Sequence, residues 1–292
     1  MPAQPQTLAE LVESKVNAAV DLLRTVVRWQ IREASSHRVL LIEGWNDNAQ
    51  TREAIAHYLV GLRADAITAV LQVRALLDNT VADKVELKKN IYAITGSAAN
   101  PLSSEQINKE RNPWIAEGIW HLCLFIAKTL HALHPPGTVH ALTQTHVLAK
   151  DHGLDVMAIY FHAGTAGVSL VETKAYENNP SQAVSDAANY FRQADDGFHD
   201  LRIRQAVSAI RPGLDLDKQK LISGSFWKQS RSYLANPHYD DASSVDWTNT
   251  RPSFAALKIG AEKIYIMPHP VNGFLSFFDE VAQGMRTFAD SL

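Results

Sequence analysis

The sequence predicts an α/β protein in which a mixed β-sheet is flanked by helices and preceded by a mostly helical N-terminal region. Two observations lead to this fold class. Apolar residues recur at helical spacing through much of the first 105 positions, whereas short strand-type apolar runs alternate with helical segments in the rest of the chain. We therefore predict a mostly helical region over 1–105 and a main domain with a C-terminal elaboration over 106–292.

Four elements are predicted in the N-terminal region. They are a helix over 7–33, a strand over 37–44, and helices over 51–62 and 66–77. From residue 79 to 111 the sequence becomes polar and charged, and the stretch SAANPLSSEQ indicates an irregular connection.

The main domain opens with a buried helix and continues into a hairpin. Asn112-Pro113 predicts a helix start, because Asn can cap a helix and Pro suits its first position. The apolar run that follows is typical of a core helix, and HPPG at 134–137 ends it. The later predicted elements are strands over 154–161 and 168–176 around a glycine-containing turn, a helix over 181–194, a strand over 262–269 and an amphipathic helix over 273–288.

Composition narrows the class of protein. The 292 residues are 46% hydrophobic and 20% charged, as in an ordinary soluble globular protein. A formal net charge of −3 argues against a uniformly basic DNA-binding module but leaves room for a nuclease whose carboxylates lower the total. No run reaches the roughly 20 apolar residues that cross a bilayer, and we recognise no secretory signal. The single cysteine, Cys123, fits a reducing, cytoplasmic compartment.

Three residues of the predicted hairpin carry the chemistry of a metal-dependent phosphodiesterase. Glu172 and Lys174 are two apart on a strand, so their side chains share a face. Asp155 begins the preceding strand and, if the chain turns near Gly164, lies across from residues 172–174. Carboxylates can hold Mg²⁺, or Mn²⁺, and a lysine can orient water and offset negative charge. We predict Asp155 and Glu172 as metal ligands and Lys174 as their catalytic partner.

The letters Glu-x-Lys alone are weak evidence. They recur at Glu13-Ser-Lys15 and Glu86-Leu-Lys88, in helical or charged segments where residues two apart point in different directions. An alternative interpretation makes the hairpin residues surface charges that pair loosely across strands. The apolar flanks of both strands favour a sheet covered on both faces instead.

Glu117 is a further candidate catalytic residue. It lies in the first turns of the long predicted helix, where it could add a carboxylate to the metal site. The alternatives are that the helix dipole favours a Glu there, or that Glu117 belongs to a partly solvated stripe with His121, Leu124 and Lys128.

The order of these elements resembles the PD-(D/E)xK restriction-endonuclease-like superfamily. The likeness covers about 110–195: a helix with Glu117, then HGLD at 152–155, then VETKAY at 171–176, then a helix. Leu154 stands where the family usually has proline. More narrowly, GLD followed by a strand, a turn and a strand ending in Glu-x-Lys-aromatic is similar to the HamA nuclease subunits of Hachiman anti-phage defence.

The resemblance implies a restriction-endonuclease-like core and a Mg²⁺-dependent deoxyribonuclease with Asp155, Glu172 and Lys174 in the catalytic roles. It also implies DNA as substrate and a HamB-like helicase as controlling partner. A non-catalytic adaptor with the same fold, binding DNA or the helicase, is the alternative. An unrelated interaction protein is a second.

Two other features of the sequence are a group of histidines and a basic segment. Five histidines in the middle of the chain lack a compact zinc motif, which favours capping and surface roles for them: His131, His134, His140, His146 and His152. Between Arg192 and Arg231, basic residues together with Phe226 and Trp227 predict either a DNA groove or a solvated helical surface.

Overall fold

The predicted fold class is confirmed by a computed structural model of the chain, which has a mixed sheet with helices on both sides. The structure describes residues 7–45, 48–64, 81–129, 136–146, 155–222 and 224–292. Within them, the helices of six or more residues are α1 (Leu8–Val26), α2 (Ala49–Arg63), α3 (Val81–Thr95), α4 (Asn112–Thr129), α5 (Pro180–Asp195), α6 (Asp200–Ile210), α7 (Leu216–Leu221) and α8 (Phe274–Ser291). The strands are β1 (Arg28–Glu33), β2 (Arg38–Glu43), β3 (Thr138–Leu142), β4 (Val156–His162), β5 (Thr165–Ala175), β6 (Arg231–Asp240), β7 (Ile264–Ile266) and β8 (His269–Val271).

The strands form one sheet, which includes β1 and β2 from the N-terminal part of the chain and β7 and β8 from the C-terminal part. Its order is β1-β2-β7-β6-β5-β4-β3, and β8 pairs with β6 beyond the end of β7. The central pairs β2–β7, β7–β6 and β6–β5 are parallel, whereas the pairs β1–β2, β5–β4 and β4–β3 toward the two edges are antiparallel. Strands β1 and β2 therefore belong to the same sheet as the hairpin that carries the candidate catalytic residues.

Two apolar cores lie on opposite faces of this sheet. One packs α1, α2, α4 and α8 against it and contains Leu59, Trp120 and Phe278. The other packs α5 and α6 against it and contains Phe191 and Trp227. None of the helices in the described ranges combines the length and apolar character needed to cross a membrane.

The predicted helix over 7–33 is wrong after Val26. A Thr7–Glu10 capping box starts the helix, and Val27 takes an extended conformation that ends it. The next six residues pair antiparallel with β2 as an edge strand and are largely exposed. The apolar spacing of the helix continues into Trp29 and Ile31, so periodicity alone did not mark the change.

Two further helix predictions need correction, and one lies outside the described residues. The helix Val81–Thr95 was missed, because its sequence is polar and charged. Asn112 does not cap α4: its backbone is helical, and a π-helical turn over Ile107–Arg111 leads directly into it. The helix predicted over 66–77 falls outside the described ranges, as do the first two residues of HPPG.

The hairpin, the strand predicted over 262–269 and the last helix are close to their predicted positions. β4 and β5 pair antiparallel from Val156↔Val171 to His162↔Thr165, which leaves a two-residue turn. Ala163 and Gly164 both have positive φ, 46° and 77°, as a type I′ turn requires. The predicted strand over 262–269 is divided between β7 and β8. Helix α5 extends slightly beyond both of its predicted limits, and α8 extends beyond its predicted C-terminal limit to Ser291.

Gly118 fixes how closely α4 approaches α2. A Cβ added there would lie 2.2 Å from Leu59 Cδ2, within the core. We expect Gly118→Ala to destabilise the protein by about 1–3 kcal/mol, less any gain of about 1 kcal/mol in helix propensity. Thermal unfolding would measure this, with Gly224→Ala as control, since a Cβ at Gly224 meets nothing within 4 Å. An unchanged melting temperature in Gly118→Ala would show that Leu59 repacks freely.

Candidate functional site

The open end of the β4–β5 hairpin brings the three predicted residues together. Because Val156 pairs with Val171, Asp155 lies beside Glu172. Asp155 Oδ2 accepts a hydrogen bond from the backbone N–H of Thr173 at 2.6 Å. Lys174 Nζ donates to Glu172 Oε1 at 2.5 Å, so the two side chains share a face as the strand period predicts.

Burial contradicts the interpretation of these residues as loose surface charges. Glu172 is 4% exposed, and the side chain of Lys174 is 27% exposed. Glu172 Oε2 is buried and has no hydrogen-bond partner among the described residues. By contrast, the other two Glu-x-Lys copies lie on helices, one in α1 as predicted and one in α3, which the sequence predicted only as a charged segment.

Glu117 joins the site from α4. It is 5% exposed, and it accepts a 3.0 Å hydrogen bond from the backbone N–H of His146. Its other oxygen lies 3.0 Å from His146 Nδ1, and Trp114 Nε1 donates to the His146 carbonyl at 3.0 Å. Both His121 and Leu124 are buried, so the alternative of a partly solvated stripe is wrong for these residues.

A potential metal-ligand group is formed by Glu117, His146 and Asp155. Each offers one ligand atom, and these atoms lie within 4.8 Å of one another. It is the one cluster of three or more such side chains in the described ranges, and it does not include Glu172. The geometry thus pairs Asp155 with Glu117 and His146, while Glu172 pairs with Lys174.

Sequence reasoning missed His146 as a site residue. In the sequence it is one of several histidines without a compact zinc motif, and its contact with Glu117 depends on how the chain leaves β3, which packs against α4. No local spacing signals that contact. His131, His134 and His152 lie outside the described residues.

Burial, reinforced for Glu172 and Glu117 by the nearby Asp155, raises the pKa values of the clustered carboxyl groups. Burial and then the nearby Asp155 raise the pKa of Glu172 to about 8, against the opposing effect of Lys174. Burial also raises the pKa of Glu117 to about 7, although His146 opposes it. Burial raises the pKa of Asp155 as well. For Lys174, burial would lower the pKa, but Glu172 and Asp155 outweigh it and raise the value. Three carboxyl groups thus share one ammonium and one imidazole, an arrangement that a cation would stabilise.

The two aromatic residues of the predicted DNA groove, Phe226 and Trp227, are buried. Phe226 is 6% exposed and Trp227 is 1% exposed, so neither ring is available to stack on a base. Both pack in the core between the sheet and α5 and α6. Arg192, Arg202 and Arg204 are exposed on this side of the sheet.

No protein-family model matches the chain, and no curated protein matches it. The site's geometry and the resemblance described above therefore carry the functional argument.

Proposed function

We propose that the protein is a metal-dependent DNA nuclease of the PD-(D/E)xK type. The observation that carries this proposal is the convergence of Asp155, Glu172 and Lys174, with Glu117, at the open end of one hairpin. Burying a carboxylate away from water costs folding free energy unless a positive charge compensates it, and one lysine cannot compensate three carboxyl groups. A divalent cation bound between these groups would supply the missing positive charge, and clustered groups with shifted pKa values are typical of functional sites.

The side chains present fit a divalent cation. Glu117, His146 and Asp155 would hold it, and Glu172 supplies a further carboxylate nearby. When bound, such an ion polarises a phosphate oxygen and lowers the pKa of the attacking water. The backbone N–H of Thr173 fixes the orientation of Asp155, and His146 does the same for Glu117.

Lys174 supplies the positive charge that the reaction needs. Glu172 holds its ammonium group at 2.5 Å, and the raised pKa of Lys174 keeps it protonated at neutral pH. From this position the ammonium can donate a hydrogen bond to water and offset charge that develops on the phosphate during hydrolysis.

We further propose a role in anti-phage defence under the control of a HamB-like helicase. This part rests on the resemblance of the hairpin region to HamA. A nuclease kept inactive until a partner senses foreign DNA would show little activity in isolation.

The test is cleavage of plasmid and linear DNA by the purified protein, alone and with the helicase, in Mg²⁺, in Mn²⁺ and in EDTA. We expect cleavage with a metal ion and none in EDTA. If the protein binds DNA but cleaves neither substrate under any condition, the adaptor alternative replaces the nuclease.

The ligand set predicts a preference between metal ions. Mg²⁺ favours oxygen ligands, whereas a first-row transition ion such as Mn²⁺ accepts an imidazole more readily. We expect wild type to cleave faster in Mn²⁺ than in Mg²⁺, and His146→Asn, which substitutes an amide for the imidazole, to reduce that ratio several-fold. An equal ratio in both proteins would remove His146 from the ligand set.

A further inference from the structure

An exposed aromatic ring lies at the start of α6. Phe198 is 79% exposed, and Leu201, one turn along, is 65% exposed. Isolated exposed apolar residues are common on soluble proteins, so exposure alone assigns no role. The backbone around Phe198 and its neighbouring rings provide the further observations.

The backbone holds Phe198 in a defined place. Gly197 has φ 82° and ends α5 in a Schellman motif, with the N–H of Phe198 donating to Gln193 O at 2.9 Å and that of Gly197 to Ala194 O at 3.1 Å. In this motif an apolar residue at the position of Phe198 commonly packs back on its helix. Here the ring stays in solvent on a fixed turn.

A series of rings connects Phe198 to the catalytic centre. Its ring meets His199 edge to face at 5.2 Å, and His199 stacks on Tyr190 at 4.2 Å. Tyr190 lies on α5, which packs against β5, the strand that carries Glu172 and Lys174. Burial raises the pKa of Tyr190, and the negative charges of Glu172 and Asp155 raise it further. Phe198 is therefore at the outer end of an aromatic path that begins at the candidate site.

Two arginines on α6 place positive charge near these rings. Arg202 and Arg204 flank Leu201 on the solvent side of α6, and both are exposed. Arg202 is close enough to Tyr190 and His199 for its positive charge to lower the pKa of both groups. The nearby Asp200 carboxylate is paired with Lys228, which reduces the negative charge beside these arginines.

We propose that Phe198 stacks on an unpaired base while Arg202 contacts the phosphate backbone, so that the nuclease acts on single-stranded DNA or on a strand already separated from its partner. A base in a duplex has both faces covered, and only an unstacked base offers a face to the ring. This inference rests on the proposed function and names its substrate. The flanking arginines and the continuity with the catalytic centre favour a nucleic acid over a protein partner as the occupant.

Fluorescence anisotropy tests the proposal with a fluorescein-labelled single-stranded oligothymidylate and a labelled duplex, in EDTA to prevent cleavage. Stacking on one base predicts that Phe198→Ala weakens single-strand affinity roughly 5- to 150-fold and duplex affinity much less. Phe198→Trp should retain the affinity. Leu275→Ala, which removes a 47% exposed side chain on α8, is the matched control and should change nothing.

The outcomes separate the inference from the proposed function. Unchanged single-strand binding by Phe198→Ala, in a protein whose wild type cleaves DNA, would overturn the stacking role alone. If Phe198→Ala weakens the affinity for single-stranded and duplex DNA equally, the stacking role is also wrong. The same conclusion follows if Phe198→Ala loses binding to the helicase while its DNA binding is intact. If Phe198→Ala loses single-strand binding but wild type never cleaves DNA, the stacking role of Phe198 is supported and the nuclease proposal is wrong.

Discussion

Replacing Lys174 with methionine is expected to reduce DNA cleavage by about 100- to 1,000-fold, the usual loss when one group that stabilises the transition state is removed. The methionine keeps most of the buried stem and removes the ammonium that Glu172 holds. The fold should survive, because the isolated Glu172 carboxyl already favours its protonated form when buried. Initial cleavage rates in Mn²⁺ and thermal unfolding of both proteins measure the two effects separately.

The chain offers a matched control for this experiment. Glu13-Ser-Lys15 repeats the same motif on the exposed face of α1, where both side chains are in solvent. Lys15→Met should cleave DNA like wild type, and Glu172→Gln should lose activity as Lys174→Met does. Equal cleavage by Lys174→Met and Lys15→Met would remove Lys174 from the mechanism, whatever the metal requirement.

Acidification is expected to destabilise the protein through its buried histidines. His238 and His269 are fully buried, and their rings meet edge to face at 4.6 Å. Burial lowers the pKa of His238 to about 3, and burial together with His238 lowers that of His269 well below its usual value. Trp45 and Trp120 stack on His269 at 4.2 Å and 4.8 Å.

The direction of this pH effect follows from proton binding. Below about pH 6.5 the unfolded chain protonates these histidines and the folded protein does not, so folding stability falls as pH falls. Each histidine contributes about 1.4 kcal/mol per pH unit below that value. Glu117 and Glu172 act oppositely: their raised pKa values give stability that is present at low pH and lost as pH rises through about 7 and 8.

A variant isolates the histidine contribution from that of the carboxyl groups. His269→Phe keeps a ring between the two tryptophans but cannot take up a proton. Urea unfolding of wild type and variant between pH 7 and about pH 5 should give a difference in unfolding free energy that shifts by roughly 2 kcal/mol in favour of the variant. Parallel pH profiles would mean that His269 is protonated in the folded protein.

Local sequence patterns predicted the β4–β5 hairpin well and the rest of the candidate site incompletely. Strand period and a glycine turn fix which residues of β4 and β5 face each other, so the position of Asp155 beside Glu172 followed from the sequence. Glu117 and His146 are 29 residues apart in the chain, and their contact depends on tertiary packing. The same limit applies to the fold: the parallel pairing of β2 with β7 has no local signature.

That pairing has a consequence for the order of folding during synthesis. Arg38 and Tyr265 are 227 residues apart, and the strands that contain them meet only after the second has been made. At about 5–20 residues per second, β2 waits on the order of tens of seconds with one edge unpaired. An exposed strand edge is a site of misassociation, so ribosome-bound chains that stop before residue 264 should engage chaperones strongly and full-length chains should not.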